Sequence, residues 1–309
     1  MKKIFFLGEC MVELRAVDNT TLNQAFAGDV YNSAVYLKRC FNKINSVIVT
    51  ALGKDVLSEK MRHCFAAEQL GTQLVFAHPE KVPGMYYIET DELGERSFTY
   101  WRGDSAARKV VDFFNPAVID ELASGDMLFF SGISLAVIEP RARDIFWQTV
   151  RDLKAAGVTV VFDPNYRARL WQSVEETKQQ YELAFKSADI TLPGVEDLQV
   201  LYGVNSVDDV LAQMSQFDIN EIVVKNGPES VLTLVDGQLQ SHQITPVENV
   251  VDTTSAGDAF NGVYLGARLS GACVSDAVRK AAKAAAIVIQ QPGAITAKDI
   301  FNRAMVDSQ

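Results

Sequence analysis

Residues 251–262 read VDTTSAGDAFNG, and the small residues of this stretch lead into an amphipathic run. Phe260, Tyr264 and Ala267 recur near helical spacing, which predicts a tight turn at 255–257 that opens a helix. Backbone N–H groups at such a turn are unpaired and point outward, and the helix dipole adds positive potential. The turn therefore suits the negative charge of a phosphoryl group during its transfer.

Asp258 falls in the first turn of this predicted helix. A carboxylate there is either a capping residue that complements the helix dipole or a general base that accepts the proton of an attacking hydroxyl. The spacing alone leaves both interpretations open. His63, His78 and His242 show no ligand or triad spacing, so catalysis is expected to rest on carboxylates, lysine, arginine and backbone groups.

Short apolar runs alternate with longer helix-like segments along the rest of the chain. The runs are continuous in apolar character, as is typical of strands covered on both faces. This rhythm predicts one α/β domain over residues 1–309, with an open, mostly parallel sheet between helices. The predicted strands are Lys3–Leu7, Ser46–Thr50, Met127–Phe130, Thr159–Phe162, Ile190–Leu192 and Glu221–Val224, and the predicted helices include Tyr31–Phe41, Val56–Gln69, Glu139–Ala156 and Val174–Lys186.

Residues 85–102 break this rhythm and predict an antiparallel hairpin around a polar turn at 91–94. Period-two alternation places Tyr100 and Arg102 on one face of the second arm. The hairpin is either a lid over a site or an edge hairpin that packs on the domain. The pattern alone does not separate the two.

The net charge, the apolar runs and the cysteine spacing indicate which partners and which compartment to expect. The formal net charge is −10, which disfavours binding to nucleic acid or to an anionic membrane surface. The first apolar run stops at Gly8, too early for a signal peptide, and no later run is long enough to span a bilayer. Four cysteines are scattered without a CxxC pair, so we expect reduced thiols in a cytoplasmic protein.

Two segments carry a resemblance to a known family. Residues 252–262 resemble the second signature of the PfkB, or ribokinase-like, carbohydrate kinases, in which D-T-x-(A/S)-A-G-D precedes a small-residue helix start. Residues 27–34, AGDVYNSA, resemble the first signature. The resemblance implies a ribokinase-like three-layer α/β/α sandwich with a small β-sheet lid, contributed by about residues 9–27 and 84–104.

The same resemblance implies ATP as the phosphoryl donor. Ser255, Ala256, Gly257 and Asp258 would form the anion hole, and Asp258 would be the catalytic base. An aspartate is too weak a base to ionise an alcohol beforehand, but it can accept the proton late, as a loose transition state collapses.

The nucleotide side is implied by residues 223–230, VVKNGPES, which resemble the family turn V-K-x-G-x-x-G with Ser230 in place of the second glycine. An ordinary strand and turn is the alternative. The family's magnesium-associated N-x-x-E motif should fall on 194–197, where Gly194 replaces the asparagine and Asp197 replaces the glutamate. Glu196 and Asp197 are either Mg²⁺ candidates, acting through water, or acidic residues of a helix start. A monovalent cation near Asp252 is a further candidate. The implied ATP-binding residues are Asn165, Arg167, Lys225, Gly227, Ser230, Ser255 and Gly257.

Residues 8–13, 84–90, 100–102 and 162–171 resemble the branch of this family that phosphorylates 2-keto-3-deoxygluconate. That open-chain substrate carries a carboxylate, which Arg102 and Arg167 would clamp by charge-assisted hydrogen bonds. Each arginine is otherwise a solvated surface residue, and each tyrosine of the hairpin is otherwise lid core. The implied substrate-binding residues are Gly28, Asp29, Asn32, Tyr86, Tyr100, Arg102, Arg167 and Asp258.

Three rival interpretations remain at this point. A fructokinase or ribokinase type of sugar kinase would act on a neutral sugar. A non-catalytic sugar sensor could use the same fold, although the intact Gly257–Asp258 pair speaks against it. The aromatic hairpin could also serve as an oligomerisation surface, and we expect a homo-oligomer, with the lid as a candidate interface.

Overall fold

The computed structural model of the chain describes residues 1–18, 20–90 and 96–306. The strands are β1 (Lys3–Leu7), β2 (Met11–Ala16), β3 (Leu22–Ala27), β4 (Asn45–Leu52), β5 (Gly71–Ala77), β6 (Met85–Thr90), β7 (Arg96–Trp101), β8 (Met127–Ser131), β9 (Thr159–Asp163), β10 (Ile190–Thr191), β11 (Glu221–Asn226), β12 (Ser230–Val235) and β13 (Gln238–Gln243). The α-helices are α1 (Asp29–Cys40), α2 (Val56–Ala67), α3 (Pro116–Ala123), α4 (Gly132–Val137), α5 (Arg143–Ala155), α6 (Val174–Ser187), α7 (Val195–Tyr202), α8 (Val207–Met214), α9 (Ala256–Leu269), α10 (Val274–Val288) and α11 (Lys298–Val306).

The large sheet has the strand order β13-β12-β11-β10-β9-β8-β1-β4-β5. Its strands pair in parallel from β11 through to β5, while β12 and β13 form an antiparallel edge. Each face carries its own apolar core, because the strands point alternate side chains to opposite faces. Phe5 and Phe162 lie in one core with helices α5 and α6, whereas Phe6 and Val161 lie in the other with α1, α9 and α10. The predicted three-layer α/β/α architecture is confirmed.

The strand bounds agree closely with the sequence prediction. Lys3–Leu7 is the predicted first strand without change, and the other predicted strands differ by one to two residues at their ends. The predicted helix at 139–156 begins later, at Arg143, because Pro140 lies in a short 3₁₀ turn before it. Strands β5, β12 and β13 were not predicted, while β2 and β3 lie in the segment at about 9–27 that the family resemblance implies for the β-sheet lid.

A second, four-stranded sheet has the order β3-β2-β6-β7, and we call it the lid sheet. The predicted hairpin is present in it, with Tyr86 opposite Tyr100 and Ile88 opposite Phe98. Its predicted turn at 91–94 lies outside the described residues. Strand β2 pairs in parallel with β6, so the segment at 11–27 and the hairpin form one sheet. Within the described ranges, no helix is long and apolar enough to cross a membrane.

Candidate active site

The turn that opens α9 has the predicted form. Ser255 precedes the helix with φ at 66°, in the left-handed region, and Ala256 is the first helical residue. The hydroxyl oxygen of Ser255 is buried, and no hydrogen-bond partner for it lies in the described part of the chain. The N–H of Ala256 donates to the carbonyl oxygen of Thr253 at 3.3 Å. The turn therefore offers the N–H groups of Gly257 and Asp258 and the unpartnered hydroxyl of Ser255, donors of the kind that suit a phosphoryl group.

Asp258 lies in the first turn of α9 and meets the start of α1. Asn32, itself buried, donates from Nδ2 to Asp258 Oδ2 at 2.8 Å. The two helices approach closely because Gly262 has no side chain: a Cβ atom there would lie 2.1 Å from the carbonyl oxygen of Ser33. The two sequence signatures thus meet side by side, although 226 positions separate Asn32 from Asp258.

Gly28 and Asp29 fix the start of α1 against the large sheet. A Cβ atom on Gly28 would lie 2.2 Å from the backbone oxygen of Glu9, so only glycine allows this approach. The Asp29 carboxylate accepts hydrogen bonds from Ser131 Oγ and from Asn165 Nδ2, the latter at 3.0 Å. Gly28 and Asn32 are therefore hydrogen-bonded together beside Asp258, while Asp29 and Asn165 form a second pair whose carboxylate charge acts on Asp258.

The electrostatics of this group act on the proposed base. Burial, and after it the negative charge of Asp29, raise the pKa of Asp258 to about 7 against the opposing hydrogen bond from Asn32. Burial also raises the pKa of Asp29. The hydrogen bond from Ser131 lowers this pKa, and the negative charge of Asp163 raises it. A carboxyl with a pKa near 7 is well matched to proton transfer at neutral pH.

Lys225 provides a positive charge close to Asp258 and the turn at 255–257. Its ammonium lies 3.1 Å from Asn261 Oδ1 and 3.4 Å from Asp163 Oδ1, and Asn261 Nδ2 donates to Asp163 Oδ2 at 2.6 Å. The ammonium is 3.9 Å from the position that a Cβ atom on Gly257 would take. Lys225 is thus held next to the turn at 255–257, and its contact with ATP remains a prediction.

The turn between β11 and β12 places the other nucleotide candidates. Gly227 has φ at 52°, a left-handed conformation that favours glycine, and Ser230 pairs with Asn226 at the start of β12. The serine that replaces the family glycine is therefore accommodated in the strand. The contact of Gly227 and Ser230 with a nucleotide remains a prediction.

The magnesium candidates differ in their surroundings. Asp197 accepts a hydrogen bond from Arg167 Nη1 at 3.0 Å, and burial raises the pKa of Asp197 against the opposing charge of Arg167. Glu196 is exposed. Within the described ranges, no cluster of three or more His, Cys, Asp or Glu residues could hold a metal by itself. The role of Asp197 or Glu196 in holding Mg²⁺ through water remains a prediction.

The lid sheet meets the core around a cavity of about 260 Å³. Tyr86 is buried and stacks on Tyr100, with ring centroids 5.7 Å apart, and the guanidinium of Arg169 lies 3.8 Å from the Tyr100 ring centroid. Arg102, Arg108 and Arg169 all line the cavity. The hairpin therefore lies against the core, and it belongs to the lid sheet rather than to an edge of the large sheet.

Arg102 and Arg167 have different partners. Arg102 Nη2 is 2.5 Å from Glu9 Oε2, and both side chains are buried, with 10 % and 1 % exposure. Arg167, 45 % exposed, pairs with Asp197 and is not among the residues that line the cavity. The joint clamp of Arg102 and Arg167 stays a prediction, while Arg108 and Arg169 are arginines that the sequence analysis did not assign.

Asp252 was the candidate for a monovalent cation site. Its Oδ1 accepts from Arg96 Nη1 at 2.6 Å and from the backbone N–H of Thr254 at 2.9 Å. Its Oδ2 accepts from the backbone N–H of Gly293 at 3.0 Å and lies 3.7 Å from Arg15 Nη2. Both oxygens are engaged by donors of the chain, so these residues do not fit a cation site centred on this carboxylate.

Two missed residues had a signal in the sequence. Asp163 ends β9 at the carboxyl edge of the parallel sheet, where ligands of such sheets bind. Asn261 follows Asp258 by three positions, so the two share a helix face. Arg96 and Arg108 carried no signal, because their position depends on how the lid sheet meets the core.

Solved structures with this architecture include a 2-dehydro-3-deoxygluconokinase from Thermotoga maritima, with a TM-score of 0.85, 20 % identity and coverage of 98 % of each chain. A putative ribokinase II from E. coli, solved with ATP and Mg²⁺, gives a TM-score of 0.83 and 21 % identity, and the match covers 95 % of this chain and 94 % of that one. The chain therefore has the fold of these two proteins.

The chain belongs to the PfkB family of carbohydrate kinases, because the family model described as "pfkB family carbohydrate kinase" matches residues 1–300. Among curated relatives, the chain is 39 % identical over 305 residues to the 2-dehydro-3-deoxygluconokinase of Escherichia coli strain K12. That match covers 96 % of this chain and 98 % of the relative. The resemblance seen in the two signatures thus extends over nearly the whole length.

Proposed function

We propose that this kinase transfers the γ-phosphoryl group of ATP to the 6-hydroxyl of 2-keto-3-deoxygluconate, also called 2-dehydro-3-deoxygluconate. The product would be 2-keto-3-deoxy-6-phosphogluconate. The near-full-length similarity to a protein of that name supports the proposal. The observation that carries it is the cavity beneath the lid sheet, because Arg102, Arg108 and Arg169 line it together.

Three guanidinium groups around one cavity favour an anionic substrate over a neutral sugar. Arg102 is already paired with Glu9, whereas Arg169 is held by its cation–π contact with Tyr100. Arginine binds carboxylates through paired, charge-assisted hydrogen bonds, which give both affinity and orientation. We therefore assign Arg169 and Arg108 to the carboxylate end of the substrate, with Tyr86 and Tyr100 beside its chain.

The reacting end would lie at the start of α9. Asp258 accepts the proton of the 6-hydroxyl as the oxygen bonds to phosphorus, and its raised pKa keeps this transfer favourable near neutral pH. The N–H groups of Gly257 and Asp258 and the hydroxyl of Ser255 stabilise the moving phosphoryl group, while the N–H of Ala256 donates to the carbonyl oxygen of Thr253. The ammonium of Lys225, which is held by Asp163, compensates the negative charge of the phosphoryl group. Asp197 would hold Mg²⁺ through water, and the ion would supply positive charge for the phosphate groups of ATP.

The substrate is tested by a coupled ADP-release assay with Mg-ATP against 2-keto-3-deoxygluconate, gluconate, fructose and ribose. We expect selective turnover of the keto-deoxy acid. Turnover of fructose alone would overturn the substrate while leaving the kinase class intact. Absence of turnover with every sugar would favour the sensor interpretation.

The carboxylate site is tested by Arg169→Ala, with Arg279→Ala as a matched control whose side chain is 77 % exposed. We expect Arg169→Ala to lower kcat/KM for 2-keto-3-deoxygluconate by roughly 10- to 100-fold, the loss expected for a charged hydrogen bond. Arg102→Ala is a poorer probe, because it would leave the buried Glu9 carboxylate unpaired. An unchanged KM in Arg169→Ala would remove Arg169 from the site.

The outer face of the lid sheet supports the expectation of a homo-oligomer. Trp101 and Leu22 point away from Tyr100 and are 58 % and 46 % exposed. We propose a second copy of this chain as the occupant of this face, since exposed apolar side chains in one sheet are typical of an interface. Trp101→Glu should lower the mass measured by light scattering, and an unchanged mass would refute the lid as the interface.

A further inference from the structure

The carboxylate of Asp252 connects the lid sheet to the anion-binding turn. Asp252 is only 5 % exposed, and it begins the segment that ends at Asp258. Arg96 Nη1 donates to Asp252 Oδ1 at 2.6 Å and to Thr254 Oγ1 at 3.1 Å. A single guanidinium of the lid therefore contacts two residues of the loop that leads into α9.

A second guanidinium approaches the same carboxylate from another lid strand. Arg15 Nη2 lies 3.7 Å from Asp252 Oδ2 and 3.6 Å from Glu13 Oε1. Glu13 in turn accepts a hydrogen bond from the hydroxyl of Tyr86. The pair Arg15 and Arg96 thus reaches Asp252 from β2 and β7, which lie on either side of β6 in the lid sheet.

The inner face of the lid sheet therefore contacts the core at two separate places. At one end, Tyr100 lies against Arg169. At the other end, Arg15 and Arg96 lie against Asp252. Strand alternation places Arg96 and Tyr100 on the same face of β7, four residues apart, so one rigid sheet spans both contacts.

We propose that Arg96 and Arg15 form a latch on Asp252, which holds the lid sheet closed and couples its closure to the shape of the anion-binding turn. The proposal rests on the proposed role of that turn in phosphoryl transfer. When the latch is closed, Arg96 fixes the loop at 252–255 through Asp252 and Thr254. The backbone N–H of Gly293 fixes the same loop through the other oxygen of Asp252. Arg96 and Arg15 are then positioning residues, which act through Asp252 and touch neither substrate.

In the latch, the positive charge beside Asp252 comes from two arginines of the chain and not from a bound cation. Each carboxylate oxygen has a backbone N–H and a guanidinium within reach, so a monovalent cation has no free carboxylate oxygen to bind. Wild-type activity should therefore be unchanged when K⁺ is replaced by tetramethylammonium at constant ionic strength. A several-fold loss of activity on this replacement would contradict the assignment.

The coupling is tested by hydrogen exchange of the full chain without ligands, comparing wild type with Arg96→Ala, Arg96→Lys and Ser97→Ala. Ser97 is the neighbour on the opposite face of β7 and serves as the matched control. We expect Arg96→Ala to raise exchange in the lid strands and also at 252–256, while Ser97→Ala changes neither. Faster exchange confined to the lid strands would overturn the coupling, as would no change at either place.

Kinetics provide a second and independent measurement. We expect Arg96→Ala to lower kcat/KM for the sugar about tenfold, the loss of one charge-assisted hydrogen bond, and to raise ADP release without sugar relative to sugar phosphorylation. Arg96→Lys should recover part of this loss, and millimolar guanidinium should restore part of the activity of Arg96→Ala. Lack of rescue by both would refute the latch. Failure of wild type to phosphorylate any sugar would refute the proposed function, and the exchange comparison would still test the latch.

Discussion

The replacement of Asp258 by asparagine separates the catalytic interpretation from the capping one. Asparagine keeps the size of the side chain and an oxygen that accepts the hydrogen bond from Asn32. It removes the negative charge and the ability to accept a proton. We therefore expect Asp258→Asn to lose nearly all turnover while ATP still binds.

The same substitution should stabilise the fold at alkaline pH. The pKa of Asp258 is about 7 in the folded protein, against 3.8 for an ordinary aspartate. Below about pH 4 the group is protonated in both the folded and the unfolded chain, so its contribution to stability is fully present there. That contribution is lost as the pH rises through about 7, because the unfolded chain ionises first. At about 1.4 kcal/mol per pH unit, the loss reaches about 4 kcal/mol at most.

Urea unfolding at pH 5 and pH 8 measures this effect. We expect Asp258→Asn to raise the free energy of unfolding by roughly 1–4 kcal/mol at pH 8 and by less at pH 5. The control is Asp276→Asn, since Asp276 occupies the first turn of α10 and pairs with Arg279 at the surface. That variant should keep full turnover and gain no stability at pH 8.

Two results would refute this reasoning. If Asp258→Asn is less stable than wild type at pH 8, the carboxylate is a helix cap rather than a strained base. If Asp258→Asn retains more than about a tenth of wild-type kcat, a group other than Asp258 accepts the proton of the substrate hydroxyl, because loss of a general base lowers the rate by about 10²–10⁴-fold.

Three further predictions follow from the same site. The kcat/KM of wild type should rise with pH and level off above an apparent pKa near 7, the pKa of Asp258, and a flat profile from pH 5 to 8 would contradict this. Lys225→Met should lower kcat about 100-fold with little change in the KM for the sugar, whereas the exposed control Lys186→Met should leave both unchanged. Gly262→Ala should cost about 1–3 kcal/mol in urea unfolding, because its Cβ would meet the backbone at Ser33, while Gly103→Ala, with open space around it, should cost little.

The sequence by itself determined the fold class and the chemistry of the turn before α9. Continuous apolar runs such as Lys3–Leu7 indicate strands that are buried on both faces, because neither face of such a strand contacts water. The small residues at 255–257 report a helix start, since local backbone geometry follows from local sequence. Asp258 could be placed beside an anion-binding turn for the same reason.

The partners of these residues were decided only by the tertiary structure. The contact of Asn32 with Asp258 joins positions 226 residues apart, and it depends on the close approach of α1 and α9. The pairing of Arg102 with Glu9, and of Arg167 with Asp197, likewise depends on how separate elements meet. A residue type shows which charge is available, but only the packing shows whether that charge is already compensated.

The lid illustrates the same limit. The hairpin and its alternation were readable from 85–102, because strand pairing across one turn is local. Its union with β2 and β3 was implied only by the family resemblance, and the approach of Arg96 to Asp252 across 156 positions was not readable. The sequence therefore determined which groups the protein has for phosphoryl transfer. The packing of the lid sheet on the core decided which of those groups face one another, because that arrangement depends on the packing of surfaces from distant parts of the chain.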